Sequence, residues 1–278
     1  MADRTAYANP DLLVETEWLQ AHLNDPNLRI IDCTGPEPYA KAHIPGSVAP
    51  REPFMKDPKD AKRVLIMGPE DYAKQLGELG VDENTTVITY DNLRSNNSCR
   101  FWWTLRYHGH MNVKVLNGGW QKWVAEGRPI TFKPTKVAPT TFEPKVNPNL
   151  ICTVDGLKER IGQAGVQIWD ARSIEEYDGR NDRGNARKGH VPGANNAEWT
   201  QMMSNDDLQT FRPAAEMWEV IDRLGLSPDK EIVSYCQGGI RAAHANFVLT
   251  LLGFTNARNY DGSMREWANR DDTPLVLP

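Results

Sequence analysis

The chain is expected to fold as two tandem α/β domains, each a mainly parallel sheet flanked by helices. Three observations lead there. Short β-rich runs alternate with amphipathic helical stretches in each half, the landmarks of the first half recur in the second, and a proline-rich stretch separates the two. At 278 residues, 40% of them hydrophobic, the chain is long enough to bury two ordinary cores. A net charge of −5 argues against non-specific nucleic-acid binding, and no apolar run approaches membrane-span length.

The elements follow in order. In the first half, residues 16–23, 69–79 and 98–107 carry helical periodicity, while 29–31, 86–90 and 113–116 are short β-branched runs suited to strands. Residues 129–149 contain prolines at 129, 134, 139, 144 and 148 among alternating Thr, Lys and Val, and read as an extended linker. The second half repeats the pattern, with strands expected at 167–169 and 231–235 and helices at 157–161, 214–224 and 242–252. The expected domains are therefore 1–128 and 150–278, joined by 129–149.

The repeat is found by offset. Ile30-Ile-Asp-Cys-Thr34 matches Ile168-Trp-Asp-Ala-Arg172 at 138, and His43-Ile-Pro-Gly46 matches His190-Val-Pro-Gly193 at 147. Thr86-Val-Ile-Thr-Tyr-Asp91 aligns with Glu231-Ile-Val-Ser-Tyr-Cys236 at 145, and Asn117-Gly-Gly-Trp120 with Asp261-Gly-Ser-Met264 at 144. Collinear blocks at near-constant offset indicate a duplicated domain of roughly 130–145 residues, an ordinary size. The partner of Cys236 is Asp91, so thiol chemistry is expected from the second half alone.

Cys236 is the candidate nucleophile. It lies between a strand end and a helix N-terminus, where unpaired N–H groups favour thiolate over thiol. Gly238 and Gly239 would let the backbone wrap tightly around the sulfur. The other cysteines, 33, 99 and 152, form no C-x-x-C with it and fit neither a disulfide framework nor a zinc site. With no apolar signal-like segment at the N-terminus, a reducing cytoplasm is expected.

Taken together, the duplicated His-x-Pro-Gly elements, the Asn117-Gly-Gly-Trp120 and Asp261-Gly-Ser263 turns and the Cys236–Arg241 loop make the chain similar, over essentially its full length, to the tandem-domain rhodanese family. These are the thiosulfate and 3-mercaptopyruvate sulfurtransferases. The resemblance implies two rhodanese-like domains, an inactive first and a catalytic second, with the site in the crevice between them. It further implies that Cys236 takes sulfur from a small anionic donor as a persulfide, which the amides of Gln237, Gly238, Gly239 and Ile240 stabilise. A thiol or cyanide then accepts the sulfur, a protein thiol being an alternative acceptor. No cofactor or metal is implied, and no nucleic-acid or membrane partner.

Loop length separates this reading from cysteine phosphatases. Those use Cys-x5-Arg, whereas four residues separate Cys236 from Arg241, a cradle better suited to a single sulfur. An anionic donor needs cations, and Arg241 is the first candidate, followed by Arg180 and Arg187 from the basic segment 180–190. Family members often place an arginine directly before the tyrosine of the following turn, but here that residue is Glu176. Mercaptopyruvate enzymes of the family typically have a hydroxyl at the sixth loop position. Arg241 stands there instead, and a guanidinium fork matches the oxygens of thiosulfate. Thiosulfate is thus the expected donor, with mercaptopyruvate as the alternative, and a persulfide carrier or redox sensor as the reading outside turnover catalysis. His43 and His190 recur in both halves and are expected to be structural. His244, on the helix after the loop, is expected to be a helix-packing or exposed residue rather than one that tunes Cys236.

Overall fold

A computed structural model of the chain describes residues 4–50, 56–60 and 64–278. It contains two compact units, neither of them one continuous stretch. The first comprises Asp11–Asn147 and Met203–Phe211; the second comprises residues 4–10, Pro148–Met202 and Arg212–Pro278.

The first unit holds a five-stranded parallel sheet among the described residues. Its strands are β1 (Leu13–Val14), β2 (Leu28–Asp32), β3 (Ser47–Val48), β4 (Thr86–Tyr90) and β5 (Val113–Leu116), in the order β1-β5-β4-β2-β3. The second repeats it with β6 (Ile151–Cys152), β7 (Val166–Asp170), β8 (Ala194–Asn196), β9 (Glu231–Tyr235) and β10 (Ala257–Tyr260), in the order β6-β10-β9-β7-β8. The central strands β4 and β9 are β-branched and aromatic, and four of the five residues in each are buried, as expected of parallel strands covered on both faces.

Helices at Pro69–Glu78, Asn96–Tyr107, Val154–Arg160, Ala214–Arg223 and Ile240–Leu251 lie where periodicity puts them. Among the described residues no helix is long and apolar enough to cross a membrane. Trp123 and Trp267, related by the repeat, are both fully buried. Each donates its indole N–H to a proline carbonyl, Pro129 and Pro274 respectively, at 2.8 Å. This satisfies the one polar atom of a large buried ring.

Parts of the proline-rich stretch run along the first unit. Thr131 bridges to His43, Thr140 donates to Gly77, and Lys145 and Asn147 donate to His108 and Tyr107. The chain passes to the second unit at Pro148. Later it supplies the first unit with a short hairpin, closed by a Met203–Phe211 bridge. Arg94 donates its amide to Gln209 Oε1 (3.0 Å) and its guanidinium to Ser204 O (3.1 Å), and Asn117 Oδ1 accepts from Phe211 N (3.0 Å). In the second unit Arg4 pairs with Asp222 at 2.8 Å and lies over Trp218.

The register of the second sheet positions the site. Asp170 at the end of β7 is level with Tyr235 at the end of β9, and Asn259 in β10 is level with Ser234. The loops leaving β7, β9 and β10 therefore emerge together at the carboxyl edge, where open parallel sheets place ligands.

Candidate active site

Cys236 follows β9 directly, and the helix Ile240–Leu251 starts four residues on. Gly239 makes the turn possible. Its φ is +75°, and a Cβ there would lie 2.6 Å from Asp261 Oδ1 and 2.7 Å from Asp261 O. Gly238 is different from the expectation that both glycines are needed: a Cβ there would meet nothing within 4 Å.

The loop amides divide into two sets. The N–H groups of Cys236 and Gly239 both donate to Ser263 Oγ at 3.0 Å, and that hydroxyl donates to Tyr260 O at 2.8 Å. Gly239 thus gives its amide to Ser263. The amides of Gly238 and Ala242 favour the charged form of the Cys236 sulfur. Gln237 sends its side chain into a reciprocal amide pair with Asn185 (3.1 and 3.0 Å), and Ile240 is the first residue of the helix.

Cys236 is 1% exposed. Burial alone would push its thiol up, but the Arg241 charge, the Gly238 and Ala242 amides and the Ser263 hydroxyl together bring it below the ordinary range. The other thiols go the opposite way. Burial, helped by nearby carboxylates, holds Cys33 and Cys99 well above it, and burial pushes Cys152 up to about 11. Cys236 is the one cysteine of the four whose surroundings favour the thiolate.

The candidate cations have different fates. Arg241 forms a two-pronged ion pair with Glu176, Nη1 to Oε2 at 2.6 Å and Nη2 to Oε1 at 2.9 Å, so the fork expected to meet donor oxygens is filled by a carboxylate. Arg180 is exposed and pairs with Asp178 at 2.7 Å. Arg187 donates to Thr273 O, Thr273 Oγ1 and Trp267 O, which ties down the segment after the last helix. These bonds direct neither Arg180 nor Arg187 to the cysteine loop. Arg183, not singled out from the sequence, has its Nε 3.8 Å from Glu176 Oε1 and is half exposed. Its segment is fastened to the cysteine loop through Asn185.

The rhodanese-like domain family matches residues 15–126 and again 153–270. The chain belongs to that family. It is 34% identical over 97% of its length to a sulfur carrier protein, TtuD, of Thermus thermophilus, covering 98% of that protein. It is 34% identical over 98% of its length to a thiosulfate sulfurtransferase of Azotobacter vinelandii, covering 99% of it. Among solved structures it resembles the 3-mercaptopyruvate sulfotransferase SseA of Escherichia coli, with a TM-score of 0.79 and 28% identity over 91% of this chain and 98% of that one.

The two rhodanese-like domains share one scaffold at this edge. In the second, the Tyr235 hydroxyl donates to Asp170 Oδ2 (2.6 Å) and accepts from Val191 N (3.2 Å), while Arg172 grips the same carboxylate through Nε and Nη2. In the first, Tyr90 links Asp32 (2.5 Å) to Ile44 N (3.2 Å). His43 and His190 stack on Tyr39 and Tyr177 and hydrogen-bond the same tyrosines' carbonyls through Nδ1, which is a structural role in both copies. Asp91 fills the place of Cys236, and its carboxylate accepts N–H bonds from Leu93 (2.7 Å), Ser95 (3.0 Å) and Ser98 (2.7 Å). In the first copy the loop after the central strand thus gathers its N–H groups around the domain's own carboxyl group, although burial pushes that group's pKa up.

Proposed function

We propose that this rhodanese-like chain is a sulfurtransferase working through a persulfide on Cys236, with thiosulfate as donor. The thiolate attacks the outer sulfur of thiosulfate and forms an S–S bond. The bond to the sulfonate sulfur breaks, and sulfite leaves with the electron pair. The terminal sulfur of the persulfide then passes to a thiol or cyanide and the thiolate returns. No step calls for a metal or organic cofactor.

The observation that carries this reading is the contrast among the four thiols, with Cys236 alone placed among amides and an arginine that hold it anionic. The Gly238 and Ala242 amides are suited to follow the charge as it moves to the outer sulfur. Arg183, half exposed beside the loop, is a better donor-binding group than Arg180 or Arg187, whose guanidinium groups are engaged elsewhere. Thiosulfate as donor is supported by relatives named thiosulfate sulfurtransferase at 33–34% identity over nearly the whole chain. A carrier that passes sulfur to a protein thiol is the second reading, favoured by the equally similar relative named a sulfur carrier protein. Four free cysteines fit a cytoplasmic setting.

Intact mass tests the proposal. Incubation with thiosulfate should add one sulfur atom, removed by cyanide, and Cys236→Ser should add none. A wild-type protein that gains no sulfur from thiosulfate or 3-mercaptopyruvate would rule the proposal out.

A further inference from the structure

Glu176 is a buried carboxylate placed beside a loop built to hold anions, an arrangement that works against anion binding. Its side chain is 5% exposed, and both its oxygens are engaged by Arg241. One of them also lies 3.8 Å from Arg183. The same residue closes a capping box with Ser173 at the start of the helix Ile174–Tyr177.

The duplication shows that the scaffold does not require this ion pair. Tyr39 and Tyr177 are equivalent, each stacked on the histidine of its own copy, so the residue matching Glu176 is Pro38. The helices Asn96–Tyr107 and Ile240–Leu251 fix the other match, and the residue corresponding to Arg241, second in its helix, is Asn97. Both domains form the same sheet, yet only the one with a cysteine in the loop carries the carboxylate–guanidinium pair. The pair therefore accompanies the thiol rather than the fold.

We infer that Glu176 is a specificity-determining residue that, by occupying the Arg241 fork, sets the site against doubly charged anions relative to singly charged ones. The charged groups around it are Arg241, Arg183 and Arg172, with Asp170 and Cys236 facing Arg241. An arginine with no partner would offer a full positive charge and two parallel N–H donors to an incoming dianion. Paired with Glu176, it presents little net charge. Arg241 still steadies the Cys236 thiolate, but less than an unpaired guanidinium would, because Glu176 sits behind it. The inference rests on the sulfurtransferase reading only for the choice of donors.

Glu176→Gln is the informative variant, because glutamine also serves in a capping box and keeps an oxygen for Arg241. Thiosulfate brings two negative charges and 3-mercaptopyruvate one. The ratio of kcat/KM for thiosulfate to that for 3-mercaptopyruvate should rise about tenfold in the variant, mainly through a lower KM for thiosulfate. Alkylation of Cys236 by uncharged iodoacetamide should reach half-maximal rate about one pH unit lower. An unchanged or reduced ratio would overturn the inference. So would an alkylation midpoint that moves up, since Glu176 would then merely hold Arg241 in place. If wild-type protein takes sulfur from neither donor, the functional reading has failed, and the alkylation midpoint still decides whether Glu176 restrains the charge on Cys236.

Discussion

Cys236 and Asp91 stand at the same point of a duplicated loop, one a thiol and the other a carboxylate, and the difference shows what each neighbour contributes. The thiolate of Cys236 forms above its lowered pKa and is lost as pH falls through it. Removing the largest favourable influence in Arg241→Ala should raise the pH midpoint of iodoacetamide alkylation by about a unit or more. A midpoint that stays put would mean that the amides and Ser263 suffice. That the surroundings of Cys236 favour a thiolate was readable from its place between strand and helix. The cations were harder, because a run of arginines in sequence does not reveal which guanidinium groups fold onto carbonyls, as Arg187 does, or onto carboxylates, as Arg241 does. Ser263 was missed, although the repeat held a signal. It replaces Gly119 at a position with positive φ in both copies, +51° and +50°. A side chain in that region is strained and calls for a reason, here its bonds to the amides of Cys236 and Gly239.

The loop as an element depends on one glycine more than on two. Gly239→Ala would combine a positive φ with a clash against the Asp261 backbone, and should cost at least about 2 kcal/mol with loss of persulfide formation. Gly238→Ala has room and should leave the denaturant midpoint nearly unchanged; urea titration of both variants checks the contrast. Longer elements were legible because periodicity needs length. The strands β4 and β9 appear where β-branched runs place them, and the helix Ala214–Arg223 ends within a residue of its expected bound. The two-residue strands β1, β3 and β6 have too few positions to show any alternation, and only pairing with their neighbours defines them.

Across the molecule, several histidines are folded in as neutral groups. Burial lowers His244 to about 3 and His108 to about 4, while both would titrate near 6.5 in the unfolded chain. A depressed histidine gives stability that is complete above 6.5 and falls as the pH drops toward the folded value, because the unfolded chain then binds protons the folded one refuses. Between pH 6.5 and 5 each should cost about 2 kcal/mol, so the urea midpoint should fall clearly over that interval. A flat midpoint would show these rings protonating in the folded protein. The duplication and the α/β class were visible in the sequence because strand ends and turns repeat at near-constant offset. The exchange of short segments between the halves was not, since nothing in the composition of residues 203–211 distinguishes a hairpin held by its own half from one held by the other.

That exchange bears on how the protein can be taken apart. A chain divided at Pro148 leaves the second half without residues 4–10, and so without the Arg4 contacts to Asp222 and Trp218. It leaves the first half without the hairpin that Arg94 and Asn117 hold. Neither fragment is then a self-sufficient module, and two separately expressed halves would each begin with a vacant docking place that only the other can fill.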